Sequence, residues 1–187
     1  MEYLIALTLL VLVGAWVVGA YIRLHHLYER VQGAWVKWHS AAEHRNECLG
    51  DFVAVFACHL PQEDMLARDI RRWAEDSRRA LAARPAAPLQ GSCHELELTE
   101  RQLRRIMRYS GRAMEATPPV TDENEQLLGL YHTMALSDRL QQQQAHAYNR
   151  TVHDFNSALD EPAMRLLGPT LGFSPMDNLN ANPPWER

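Results

Sequence analysis

Residues 3–22 read YLIALTLLVLVGAWVVGAYI, an uncharged run of twenty. At a helical rise of about 1.5 Å per residue, such a run spans about 30 Å, the thickness of a bilayer's hydrocarbon layer. Backbone in lipid has no water to bond, so the segment must satisfy its own polar groups as a helix. Tyr3 at one end, and Trp16 with Tyr21 toward the other, suit the two interfaces where amphipathic rings settle. A soluble helix without a polar face would need burial all round, which is the poorer reading. The run is expected to span a membrane.

Val18-Gly19-Ala20 has the small residues of a signal-peptide cleavage site, but Glu2 and the lack of any Lys or Arg before the run do not suit a signal sequence. An uncleaved anchor over residues 1–22 is the expectation. Arg23, Arg30 and Lys37 follow the run and no basic side chain precedes it, so the positive-inside rule places the remainder in the cytoplasm.

Beyond the anchor lie 165 of the 187 residues, enough for one domain with its own core. The net charge of −4 hides a segregation. Residues 68–112 hold eleven Arg against six acids, and residues 113–187 hold four Arg against ten acids. Opposed halves of this kind pair helices within a molecule, pair neighbouring subunits, or bring the basic part to anionic lipid. Cys48, Cys58 and Cys93 are odd in number and form no CxxC, so no disulfide framework is expected.

The apolar pattern continues past the anchor. Val31, Trp35, Trp38, Ala42, Leu49, Phe52 and Phe56 recur at helical intervals, with Arg45 in the same seam and no proline before Pro61. One helix to about Leu60 follows from this. Pro61-Gln62-Glu63-Asp64 opens a second helix to about Ala83, with Leu66, Ile70, Trp73 and Leu81 inward. Arg84 to Ser92 breaks the pattern. Thr99 with Gln102 reads as a capping box for a third helix, with Leu103, Met107, Ser110 and Met114 on its inner stripe. Pro118-Pro119 ends it, and Thr121-Asp122-Glu123 starts a fourth helix to about Leu159. Its seam is Leu127, Tyr131, Met134, Ala145, Tyr148, Val152, Phe155 and Leu159, with Asp138 and Gln141 as polar members. After Pro162 a short apolar piece, Met164–Leu167, precedes a Gly/Pro/Asn-rich tail.

If the first helix leaves the membrane and the fourth returns, Arg45 and Asp138 fall at nearly one height, 15 residues before Leu60 and 17 after Thr121. A buried Arg45–Asp138 pair would fix helix register more than it would add stability.

The fourth helix carries Tyr148-Asn149-x-x-Val152-x-x-Phe155-Asn156, followed after Pro162 by Gly172-Phe173. This resembles the YN-x-x-V-x-x-YN…GF pattern of the LemA family. Ala34-Trp35, and His44-Arg45-Asn46 leading into Leu49-x-x-Phe52-Val53, are similar to that family's AW and RR-x-DLIPNLV segments. The likeness covers roughly residues 27–60 and 121–175, with His44 in place of one paired arginine and Phe155 in place of the second tyrosine. It implies a divergent member: a single-span membrane protein with a helical bundle, a short external N-terminus and no assigned biochemical activity. Links of the family to membrane formation and to membrane-associated proteases are what the resemblance adds on function.

No Gly-rich phosphate loop, GxSxG, HExxH or CxxCH occurs. His44 with Cys48, and His146 with His153, each share a helix face, but two ligands do not make a metal site. Arg101, Arg105, Arg108 and Arg112 line one face of the third helix without interleaved aromatics, on a net-acidic chain, so nucleic acid is not the expected partner. A solvated face, a lipid-phosphate contact or an acidic-protein contact remain for it. Asn149 and Asn156, poor helix formers, are expected to make structural hydrogen bonds.

The expected protein is all-α: a single N-terminal transmembrane helix continuing into an antiparallel bundle of long and short helices. Residues 1–22 form the anchor, 23–160 the bundle and 161–187 a partly irregular tail. The expected function is a non-catalytic scaffold in the bacterial inner membrane that needs no cofactor and self-assembles to shape or organise the bilayer. The alternative is an adaptor of a membrane-associated enzyme such as a protease. The bilayer, further copies of the chain and a membrane protein are the expected partners.

Overall fold

The computed structural model describes residues 1–59, 64–83, 94–115 and 122–179. The expected breaks at Pro61, Arg84–Ser92 and Pro118-Pro119, Cys93, and the tail beyond residue 179 lie outside them, as do the side chains of Cys58 and Met114. Among the described residues all regular structure is helix, with α1 at Glu2–His59, α2 at Asp64–Ala82, α3 at His94–Glu115, α4 at Asp122–Asp160 and α5 at Pro162–Thr170.

Helix α1 is a continuous rod of 58 residues, about 87 Å long at the helical rise. It is the one helix among the described residues long and apolar enough to cross a membrane, by length and composition. Its side chains from Tyr3 to Gly19 face almost no protein: Leu4, Ile5, Leu10 and Val18 are all more than half exposed. Burial starts at Ala20 and Leu24 and then follows one stripe, Val31, Trp35, Trp38, Ala42, Leu49, Phe52 and Phe56. The sequence seam and the buried stripe coincide because a helix that packs on one side only can hide one face.

Helix α4 packs along α1, and α3 packs along α2, which also rests on α1. Arg23 meets Glu161, Arg30 meets Asp154 and Phe52 meets Tyr131, so position numbers fall along α4 as they rise along α1. Two apolar clusters result. The first, nearer the N-terminal run, gathers Trp35, Trp38, Tyr148, Val152, Phe155 and Leu159, with Met164 and Leu179 from beyond α4. The second gathers Leu49, Phe52 and Phe56 with Ile70, Leu103, Met107, Leu127 and Met134. Helices α3 and α4 come close where Gly111 faces Tyr131; a Cβ at Gly111 would collide with the tyrosine hydroxyl.

The third helix starts earlier than the sequence implied. Thr99 is not a cap but a buried residue inside α3, its hydroxyl donating to the Leu96 carbonyl at 2.8 Å. Trp73 is half-buried and packs against the second cluster from its margin, while Ala74 and Ser77 join Leu66, Ile70 and Leu81 among the buried residues of α2.

After α4, Pro162 begins α5 in the first-turn position where its missing N–H costs nothing. The helix closes through paired bonds: Phe173 N–H to the Gly168 carbonyl at 2.9 Å, and Gly172 N–H to the Pro169 carbonyl at 3.2 Å. This is a Schellman closure, and it requires the left-handed backbone that Gly172 adopts at φ 82°. A side chain there would cost about 1–2 kcal/mol. The closure aims Phe173 at α1, with ring centroids 5.8 Å from Tyr21, 6.2 Å from Tyr28 and 6.2 Å from Phe155.

Candidate functional site

Three places bring chemistry-bearing side chains together. The first is a polar layer between the two apolar clusters, to which each of the four long helices contributes. Arg45 of α1 is fully buried and grips Glu100 of α3 with both ends of its guanidinium, Nη1 to Oε2 at 2.5 Å and Nη2 to Oε1 at 2.6 Å. The same Nη2 donates to Asn46 Oδ1 at 3.0 Å, and Asn46 Nδ2 donates to Ser77 Oγ of α2 at 3.0 Å. Ser77 Oγ in turn donates to Glu100 Oε1, and Gln141 Nε2 of α4 donates to Oε2, each at 3.2 Å. Asp138 stands at the edge, its Oδ1 3.9 Å from Arg45 Nη1 and its Oδ2 accepting from Gln142 at 2.7 Å.

The arithmetic of helical rise brought Arg45 and Asp138 to one level, and the structure places them there. The intimate partner is Glu100, which the sequence reading did not single out. Extending the α3 stripe backwards would have found it, since Leu96, Glu100, Leu103 and Met107 follow the same spacing.

The two carboxylates respond differently to one arginine. Burial pushes Glu100 up, but the charge and hydrogen bonds of Arg45, helped by Arg104 and Ser77, outweigh it and hold the group below the usual carboxylate range. At Asp138 burial wins over the more distant Arg45 and raises the group. For Arg45, burial works against the charge, and Glu100 more than restores it.

The stability consequences have opposite signs. A depressed Glu100 contributes stability above the ordinary carboxylate pKa, lost as pH falls through its lowered value. A raised Asp138 contributes below the ordinary pKa, and that contribution is lost as pH rises through its raised value. The variant Asp138→Asn should therefore be at least as stable as the parent at pH 7 in urea unfolding, with a flatter pH profile above the carboxylate range. A loss as large as that of Glu100→Gln would show instead that Asp138 is the essential counter-ion.

Arg45 Nε, Asp138 Oδ1 and Gln141 Oε1 are buried without hydrogen bonds. Each such atom costs about 1–3 kcal/mol, so the layer is poor as a source of net stability. It is strong as a register device: sliding any one helix by a turn would set Arg45 or Glu100 against apolar side chains. Arg45 and Glu100 are closed off from solvent, and Asp138 at the edge is partly exposed.

The second place is the motif on α4. Asn156 Nδ2 donates to the Met176 carbonyl at 2.8 Å, and its Oδ1 accepts the Met176 N–H at 2.9 Å. Asn149 repeats this with Leu179, at 2.5 and 2.7 Å. Each carboxamide acts as a one-residue strand edge for the chain after α5. Seven helical residues rise about 10.5 Å and three extended residues cover about 10 Å, so the two Asn meet residues three apart. Tyr148, wholly buried with its ring 5.6 Å from Trp35, donates its hydroxyl to the Asp177 carbonyl at 3.2 Å. Trp35, Tyr148, Asn149, Phe155, Asn156, Gly172 and Phe173 thus form one unit that straps the chain after α5 along α4 and against α1. No family model, curated protein or solved structure matches this chain.

The third place is a groove of about 710 Å³ between α2 and α3. Arg105, Arg108 and Arg112 line it with Met65, Asp69, Trp73, Gln102 and Tyr109. The basic face therefore does have aromatic neighbours: Tyr109 is 58% exposed, and Trp73 reaches in from α2. Arg101 stands apart from the exposed three, half-buried.

Histidine and cysteine chemistry is sparse. Cys48 Sγ lies 3.7 Å from His44 Nε2, and among the described residues no group of three metal-capable side chains forms. His153 lines a second cavity of about 540 Å³ beside Ile22, with His26, Arg23 and Arg30. Both arginines there are engaged, Arg23 by Glu161 at 2.8 Å and Arg30 by Asp154 at 3.7 Å.

Proposed function

We propose that this chain is a membrane-anchored scaffold whose copies assemble side by side and organise the bilayer, acting by binding rather than catalysis. Its anchor is the apolar part of α1, and its bundle is antiparallel and stands on the cytoplasmic side of a bacterial inner membrane. The observation that carries this reading is the unbroken passage of α1 from side chains that meet almost no protein, Tyr3–Gly19, into the packed stripe that begins at Ala20. Apolar surface on that scale needs lipid or protein to cover it. A stiff helix rooted in lipid holds every copy at one height and in one plane, which raises the effective concentration of neighbours. Arg23, Arg30 and Lys37 just past the apolar run support the orientation.

Membership of the LemA family belongs to the same proposal. It is supported by the convergence of the motif residues on a single structural unit, the strap built from Tyr148, Asn149, Asn156, Gly172 and Phe173.

Reconstitution of the full chain into liposomes at increasing density, followed by electron imaging, tests the function. Clusters or ordered arrays on the vesicle surface are expected; evenly dispersed single copies at every density would overturn the scaffold. A second reading, an adaptor serving one membrane enzyme, is favoured by the α2/α3 groove. It predicts a one-to-one complex with a co-purifying protein.

A further inference from the structure

We propose that α5 is an interfacial helix whose outer face lies in the surface of the bilayer that the apolar run of α1 crosses. The inference rests on the anchor reading of that run, whichever side of the membrane the bundle occupies. Two ties fix the height of α5. Just before the helix, Glu161 accepts from both ends of the Arg23 guanidinium, at 2.8 and 3.0 Å, one residue past the run. Just after it, the Phe173 ring stands 5.8 Å from that of Tyr21 and 6.2 Å from that of Tyr28. Midway between those tyrosines on α1 are Leu24 and His25, so both flanks of α5 are held within a few ångströms of one level. A helix tied at both flanks to one level of a rod runs across that rod. With α1 through the bilayer, α5 lies in the bilayer plane at the height where the run ends, among the headgroups.

The two faces of α5 meet different surroundings. Met164 and Gly168 are buried, and Gly168 lies so close to α4 that a Cβ there would meet the Leu159 side chain at 2.9 Å. The opposite face, Pro162, Arg165, Leu166, Pro169 and Thr170, is exposed along its whole length, at the spacing of one helical stripe. Three of those five side chains are apolar. Leu166, at 78% exposure, is the most exposed large apolar side chain described beyond the run. Because α4 ends at Asp160 and its last turn covers the inner face, the outer face points away from the bundle. At headgroup height, what lies there is lipid.

Charge decides the kind of lipid contact. The arginines at this level already have acids: Arg23 has Glu161 at 2.8 Å, Arg30 has Asp154 at 3.7 Å and Arg165 has Asp160 at 3.6 Å. Matched pairs have no net charge to offer anionic headgroups, so the contact is made by burying Leu166, Pro162 and Pro169 at the acyl boundary. A neutral bilayer is enough for it. The consequence is orientation: a second attachment beside the run fixes the tilt and rotation of the bundle over the membrane, which one crossing helix leaves free.

The test uses the full-length protein in phosphatidylcholine nanodiscs, with a genetically encoded, environment-sensitive fluorescent amino acid replacing one residue at a time. The positions are Leu166, Leu10 in the run as the lipid reference, and Leu136 on α4 as the aqueous reference. All three are more than half exposed, so the replacement displaces no packed side chain. Fluorescence at position 166 should be quenched several-fold more by brominated lipid chains, and several-fold less by iodide in solution, than at position 136. Lipid quenching at position 10 without any at position 166 would overturn the inference and leave the anchor standing. If neither position is quenched by lipid, the anchor reading falls and the inference with it. Quenching at position 166 that appears only after phosphatidylglycerol is added would overturn the apolar contact in favour of an electrostatic one.

Discussion

Arg45→Ala should lower the unfolding free energy by about 3–5 kcal/mol, because it leaves Glu100 buried without its counter-ion. Glu100 is about as buried as Arg45, and what remains to it are the neutral donors Ser77 and Gln141 at 3.2 Å and the weaker pull of Arg104. Glu100→Gln should cost a similar amount by stranding the guanidinium between an amide and the distant Asp138. Combining Arg45→Met with Glu100→Leu should recover most of the loss, since replacing both ions of a buried pair by apolar groups of similar volume is often neutral. Urea unfolding of the parent, Arg45→Met, Glu100→Leu and their combination completes a double-mutant cycle. Additive losses in the double variant would show that the two side chains do not act as a pair.

The strap provides the second large effect. Asn149→Ala with Asn156→Ala removes four hydrogen bonds, each worth about 1 kcal/mol net, so about 4 kcal/mol of local stability is at stake. The loss should be confined to the chain after α5. Hydrogen exchange at the Met176 and Leu179 amides should become fast, while amides in the stripe of α1 keep their protection. Unaltered protection at residues 176 and 179 would mean that Phe173 and the Tyr148 hydroxyl hold the segment without the asparagines.

How far the fold was legible follows from which interactions are periodic. The stripe from Val31 to Phe56 was readable because one-sided burial imprints a 3–4 spacing on a helix. The shared level of Arg45 and Asp138 was readable because the helical rise is constant. Glu100 escaped for a local reason: Thr99 and Gln102 imitate a cap, although α3 already runs from His94. The groove aromatics escaped because Trp73 sits on the helical spacing of the α2 core, at its margin. The strap was the hardest to read. Its asparagines bind backbone N–H and C=O groups, which every residue but proline carries in full, so the sequence after Phe173 bears no pattern that marks Met176 and Leu179 as partners.

The polar layer and the anchor together explain the proposed behaviour. The layer holds four helices in one register, which in the proposed reading would present the far end of the bundle at a fixed distance from the bilayer. In the same reading, the proposed anchor would make that distance common to all copies. A scaffold requires both, and neither demands a reactive group. The most direct measurement is the mass of the full-length protein, extracted gently from membranes and purified without added partners. The account predicts a homo-oligomer of many copies; a strictly monomeric particle at all concentrations would contradict it.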